Sequence, residues 1–130
     1  MIVVDTSAFV AVLKNEPDGA PCMAVIGTSS PILMSAATVV EAMIVATRQG
    51  FATQMAEMIK FTVSQIIPVT PERAEHIAAA YARWGKGIHP AALNFGDCFA
   101  YATATEYACP LLYIGNDFSR TDVPSARTAQ

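Results

Sequence analysis

The stretch Ile2-Val3-Val4-Asp5-Thr6-Ser7-Ala8, running on through Phe9-Val10-Ala11-Val12-Leu13-Lys14, decides the fold class. Three consecutive β-branched or aliphatic residues without alternation read as a strand covered on both faces. Asp5, Thr6 and Ser7 then supply side-chain oxygens where a helix can start. A buried strand that passes straight into a capped helix is the opening half of a βαβ unit. The rest of the chain repeats the pattern. Apolar runs at 32–34, 66–69 and 111–114 read as further buried strands, and Ala-rich segments with helical spacing lie between them at 7–14, 17–27, 37–49, 52–64, 71–84 and 95–107. Gly50 stops the third helix, Thr70-Pro71 opens the fifth, and Pro110 follows the sixth. Recurring strand–helix units build a parallel sheet with helices on both sides. The expectation is one α/β domain over residues 1–130, a three-layer α/β/α sandwich with four or five parallel strands and about six helices. Residues 124–130, polar and poor in apolar anchors, read as a frayed tail.

Composition narrows the class. The chain has 130 residues, the size of one domain, and a domain this long buries roughly two-thirds of its unfolded surface without needing a staple. It is 53% hydrophobic and 15% charged, with mean hydropathy +0.37, which excludes disorder and leaves apolar surface for a partner. Its longest wholly apolar run, residues 8–13, is far short of the ~20 residues of a membrane span. A net charge of −3 excludes nucleic-acid binding through bulk positive charge. Three cysteines, Cys22, Cys98 and Cys109, with no C-x-x-C spacing and only His76 and His89 beside them, argue against both a disulfide framework and a zinc site. Buried free thiols in the cytoplasm fit better.

With so few charges, the placement of the acids is informative. Asp5 follows the first strand and Asp117 the last, within Ile114-Gly115-Asn116-Asp117-Phe118. Ligands of open parallel sheets bind beyond the carboxyl ends of the strands. Glu41 lies early in the helix after the second strand, and Asp97 opens the sixth helix beside Gly96, which leaves room for close backbone approach. Each acid has a plainer reading. Asp5 can cap its helix, Thr38-Val39-Val40-Glu41 fits a capping box, Asp97 suits a helix N-terminus, and Asp117 suits a turn. Gathered in one cleft, four carboxylates either take up protons or hold a hard divalent cation. Oxygen ligands select magnesium or manganese, and with them phosphate-ester chemistry.

These residues resemble a known family. The opening segment, Ser35-Ala36-Ala37-Thr38-Val39-Val40-Glu41-Ala42, the stretch from Tyr81 through Gly85-Lys86-Gly87 and His89-Pro90-Ala91 to Leu93-Asn94-Phe95-Gly96-Asp97-Cys98-Phe99-Ala100-Tyr101-Ala102, and Leu111 to Asp117 are similar, in that order, to the motifs of PIN domains. Among these they are most similar to VapC-type toxin ribonucleases of toxin–antitoxin pairs. The resemblance implies Mg²⁺-dependent cleavage of RNA, with Mn²⁺ as a substitute, leaving 5′-phosphate and 3′-hydroxyl ends. Asp5 and Asp97 would be the metal ligands, Glu41 and Asp117 would complete the acidic site, and Thr6 and Ser7 would support it. Relatives often carry two consecutive aspartates where this chain has Asn116-Asp117, so Asp122 stands as a rival to Asp117. The resemblance also implies a homodimer and a cognate antitoxin that brings a basic side chain into the acidic site. Met43, Met55 and Met58 are the expected partner face.

The candidate RNA contacts are Arg73, Arg83 and Lys86 on and after the fifth helix, with Lys14 at the end of the first; Tyr81, Trp84 and Tyr101 are candidates for base stacking. The alternative is a catalytically silent PIN-like module whose acids dock a basic peptide. A haloacid-dehalogenase-like phosphatase wants an acid where Ser7 stands, and a receiver domain wants paired acids and a lysine that are missing here.

Overall fold

The alternation of side chains along the first strand sets the layers. In the computed structural model, which describes residues 1–127, β1 (Ile2–Val4) sends Ile2 and Val4 to one face of a sheet and Val3 to the other. The helices α1 (Thr6–Leu13), α2 (Gly19–Thr28), α3 (Ala36–Gln49) and α4 (Ala52–Thr62) cover the Ile2 and Val4 face. There Phe9, Cys22, Met34, Ala42, Ala46 and Met55 are wholly buried. The helices α5 (Pro71–Trp84) and α6 (Phe95–Glu106) cover the Val3 face, with Leu93, Ala100, Leu111 and Phe118 in that core. Two cores flank one sheet, giving the expected three layers.

The sheet has four parallel strands in the order β3-β2-β1-β4, where β2 is Ile32–Ser35, β3 is Gln65–Ile67 and β4 is Leu111–Leu112. Val3 sits in register between Leu33 and Leu111. The chain therefore steps outward from β1 to β2 to β3, then returns across the other face to place β4 on the far side of β1. The strand order reverses between β1 and β4, and in open α/β sheets that crevice takes ligands.

Helix ends follow local chemistry. Thr70 accepts from the Arg73 amide ahead of Pro71, and Gly50 ends α3 at φ +88°, a left-handed conformation that lacks the Cβ penalty only in glycine. The reading of 66–69 as a strand buried on both faces needs correction. The strand ends at Ile67, and Gln65 and Ile66 are exposed because β3 is an edge with a single neighbour. Residues 124–127 also depart from the frayed tail expected of them. Leu111 donates to Pro124, Ala126 donates to Leu111, and Arg127 pairs with Asp18 at 3.1 Å. Residues 128–130 of that tail lie outside the described residues. Among the described residues no helix is long and apolar enough to cross a membrane, and all three cysteines are buried and free.

Candidate active site

Asp5 leaves the end of β1 as the N-cap of α1. Its Oδ2 accepts from the Ser7 amide at 3.1 Å and the Ser7 hydroxyl at 2.7 Å. The same hydroxyl accepts from the Ile114 amide at 3.0 Å. Ser7 thus ties Asp5 to the segment leading from β4 toward Asp117. Thr6, on the next residue of α1, donates to Glu41 Oε1 at 2.6 Å. Asp97 is the third residue of α6 and forms a reciprocal cap with Asn94. Its amide donates to Asn94 Oδ1 at 2.8 Å, and its Oδ2 accepts from the Asn94 amide at 3.0 Å. Asp5 and Asp97 each keep one oxygen outside these bonds.

The capping reading of Thr38-Val39-Val40-Glu41 is corrected. Ser35 is the N-cap of α3, accepting from the Ala37 amide, and Thr38 lies inside the helix. Glu41 is therefore released from capping and reaches out to Thr6. The Thr38 hydroxyl, one turn before Glu41, is buried with no hydrogen-bond partner among the described residues.

Electrostatics show how the acids are grouped. Asp5 is 5% exposed and Asp97 7%. Burial raises the Asp5 carboxyl from 3.8 to about 6, against the lowering by Ser7, and the charge of Glu41 adds to the rise. Burial raises Asp97 from 3.8 to about 7, helped by the charges of Asp5, Asp117 and Glu41 and opposed by the Asn94 amide. None of these four acids is in an ion pair among the described residues. Four carboxylates from four distant segments therefore share one field, with Asp117 on an exposed turn at its rim. They do not form a closed cage. Among the described residues no three His, Cys, Asp or Glu side chains close on one metal-sized point, because Asp97 is turned toward Asn94, Glu41 toward Thr6 and Asp117 toward solvent. The donor set still fits a hard divalent cation. It offers only oxygens and uncompensated negative charge, and two carboxylates leave room for the water and phosphate ligands that magnesium retains.

Other candidates stand elsewhere. Asp122 accepts from the Tyr101 hydroxyl and pairs with Arg83 at 3.4 Å, so its carboxylate is already engaged. Arg73 is committed to Glu106 at the end of α6 opposite Asp97, through bonds of 2.9 Å from Nε and Nη2, and to the Pro68 carbonyl. It is an interhelix clamp and not a free cation. Lys14 caps the far end of α1. Trp84 and Tyr101 are buried and joined by a 2.9 Å hydrogen bond, which removes them as stacking platforms. Lys86 is exposed and borders a groove of about 760 Å³ with Tyr81, Asn94, Phe95 and Phe99. Sequence reasoning missed Phe95, which is 78% exposed; nothing in its spacing distinguishes it from a core aromatic. It also missed Asn94, whose signal was present in the Asn94-x-x-Asp97 spacing. Met55 is wholly buried, which removes it from the expected partner face, whereas Met43 and Met58 are half-buried and pack against the core from its edge. The exposed apolar side chains of α3 are Val40 and Ile44.

The parallel α/β sandwich gathers these carboxylates beyond the ends of its strands, where open sheets of this kind bind ligands. The PIN domain family model matches residues 2–124. The chain is similar to Ribonuclease VapC36 of Mycobacterium tuberculosis, 46% identical over 129 residues, covering 94% of this chain and 91% of that protein. It is 40% identical to Ribonuclease VapC28 of the same species, covering 96% and 97%. The solved structure of Mycobacterium tuberculosis VapC20, a toxin that cleaves the sarcin–ricin loop, shares the fold at TM-score 0.78 and 20% identity, covering 98% of this chain and 100% of that one. A chain of a toxin–antitoxin complex from Klebsiella pneumoniae shares it at TM-score 0.72 and 18% identity, covering 94% of this chain and 93% of that one. The chain belongs to the PIN domain family, in its VapC branch.

Proposed function

We propose that the chain is an endoribonuclease toxin that hydrolyses RNA phosphodiester bonds with a divalent cation, magnesium in the cell and manganese as a substitute. The observation that carries this reading is the pair of buried carboxyls, Asp5 and Asp97, held near 6 and 7 at the crevice between β1 and β4 with no basic partner among the described residues. Such a pair is a poor structural feature and a good ligand set. Asp5 and Asp97 would hold the ion through the oxygens that Ser7 and Asn94 leave free. A divalent cation bound there supplies Lewis acidity to a phosphate and lowers the pKa of a bound water. Because both carboxyls must ionise to serve as ligands, binding releases protons. Glu41, set by Thr6, and Asp117 complete the acidic rim and orient the water and phosphate around it. Ser7 supports Asp5 from the opposite side. Asp117 is preferred to Asp122 because Asp122 is spent on Tyr101 and Arg83.

Lys86 is the first candidate for a phosphate contact and Arg83, in an exposed pair, the second. By likeness to the Klebsiella pneumoniae complex, the partner of this chain is a cognate antitoxin that sets a basic side chain among the acids. A homodimer in the cytoplasm completes the proposal.

The test is a Mg²⁺ titration of wild type and Asp97→Asn with a fluorescent single-stranded RNA, followed by mapping of the ends. Wild type should yield 5′-phosphate and 3′-hydroxyl ends in proportion to bound metal, and Asp97→Asn should fold but not cut. Absence of cleavage by wild type at every metal concentration would leave only the silent binding module.

A further inference from the structure

We infer that Gly96 is a positioning residue whose missing side chain lets the Glu41 carboxylate lie across the first turn of α6 beside Asp97; this rests on the nuclease reading above. Gly96 is the second residue of α6, and its backbone does not take the left-handed conformation that would demand glycine. Within a helix glycine is worse than alanine by about 1 kcal/mol. Its helix therefore gives no reason for it. The space beside it does. A Cβ built on Gly96 would fall on Glu41 Oε2, 2.9 Å from Glu41 Cδ and 3.4 Å from Oε1. The three nearest atoms all belong to that one carboxylate.

The carboxylate is thus held from two sides. Thr6 at the start of α1 donates to Oε1, and the gap at Gly96 receives Oε2. Three elements that meet at the crevice fix one side chain, although Glu41 itself projects from α3 on a flexible stem. A methyl group at position 96 would meet only the far end of that stem. Glu41 would swing aside and leave Thr6, while the fold stayed intact. Gly96 acts through Glu41 and touches no reacting atom.

The experiment is a double-mutant cycle with Gly96→Ala and Glu41→Ala, read by RNA cleavage and by the carboxyl ¹³C resonance of Glu41 in metal-free protein. Gly96→Ala should melt no lower than wild type, shift the Glu41 resonance, and lose about ten- to a hundredfold in cleavage, the scale of a 1 Å misplacement. The double variant should cut no worse than Glu41→Ala alone. Thr6→Val, which removes the donor without touching α6, should move the same resonance in metal-free protein. Wild-type cleavage with a fully active Gly96→Ala, an unmoved resonance, or additive losses in the double variant would overturn the assignment. If wild type itself does not cut RNA, the nuclease reading fails, and the resonance alone still decides whether Gly96 positions Glu41.

Discussion

Raising the pH of metal-free protein from 5 to 8 should weaken the fold, the reverse of ordinary salt-bridged carboxylates. Asp5 and Asp97 titrate near 6 and 7 in the folded chain against 3.8. Between these values the folded state binds more protons than the unfolded state. The stability they contribute is full below 3.8 and is lost as pH rises through 6 and then 7. At roughly 1 kcal/mol per pH step per group, the loss between pH 5 and 8 is of the order of a few kcal/mol, with the larger share from Asp97. The loss belongs to the two carboxyls together, because they titrate as a pair. Glu106, held below its usual range by Arg73, acts with the opposite sign, but its window lies at and below 4.5. The assay is urea unfolding in EDTA at unit pH intervals, repeated with Mg²⁺ and with Asp97→Asn. The wild-type midpoint should fall from pH 5 to 8, Mg²⁺ should restore it at pH 8, and Asp97→Asn should be flatter and more stable than wild type at pH 8. A wild-type midpoint that holds or rises, with Asp97→Asn running parallel, refutes the account of two strained carboxyls.

Three further outcomes follow from α5, α6 and the segment between them. Tyr101→Phe strands the buried Trp84 Nε1–H and frees Asp122, so urea unfolding should register a loss of about 1–3 kcal/mol. Lys86→Ala should lower the salt dependence of RNA affinity by about one unit of slope, while Arg73→Ala should weaken stability and leave that slope unchanged, because Arg73 is spent on Glu106.

The layers were legible because the strands are short apolar runs and the helices carry ordinary caps and stops, as at Thr70-Pro71 and Gly50. Four acids stood out against a chain with few charges: Asp5 and Asp117 after strands, Asp97 opening a helix and Glu41 in the early turns of another. Other features depended on three-dimensional neighbours. Nothing in Gln65-Ile66-Ile67 announces that one side lacks a partner strand. Arg73 and Arg83 fit a cationic stripe by spacing alone, yet Glu106 from a later segment takes Arg73, and Arg83 stands in an exposed pair with Asp122. Thr38-Val39-Val40-Glu41 carries a capping signature, but Ser35 comes first and occupies the cap. Trp84 and Tyr101 satisfy each other in the core, a pairing that no local window contains.

The link from Ser7 to Ile114 spans 107 positions, and Asp5 lies at the strand that β4 must pair with last. During synthesis, residues 1–110 can stack α1–α4 on their face well before that pairing exists. The crevice acquires its second wall only when the final strand docks. Loss of β4 would therefore remove one wall of the crevice together with the Ser7–Ile114 tie that steadies Asp5.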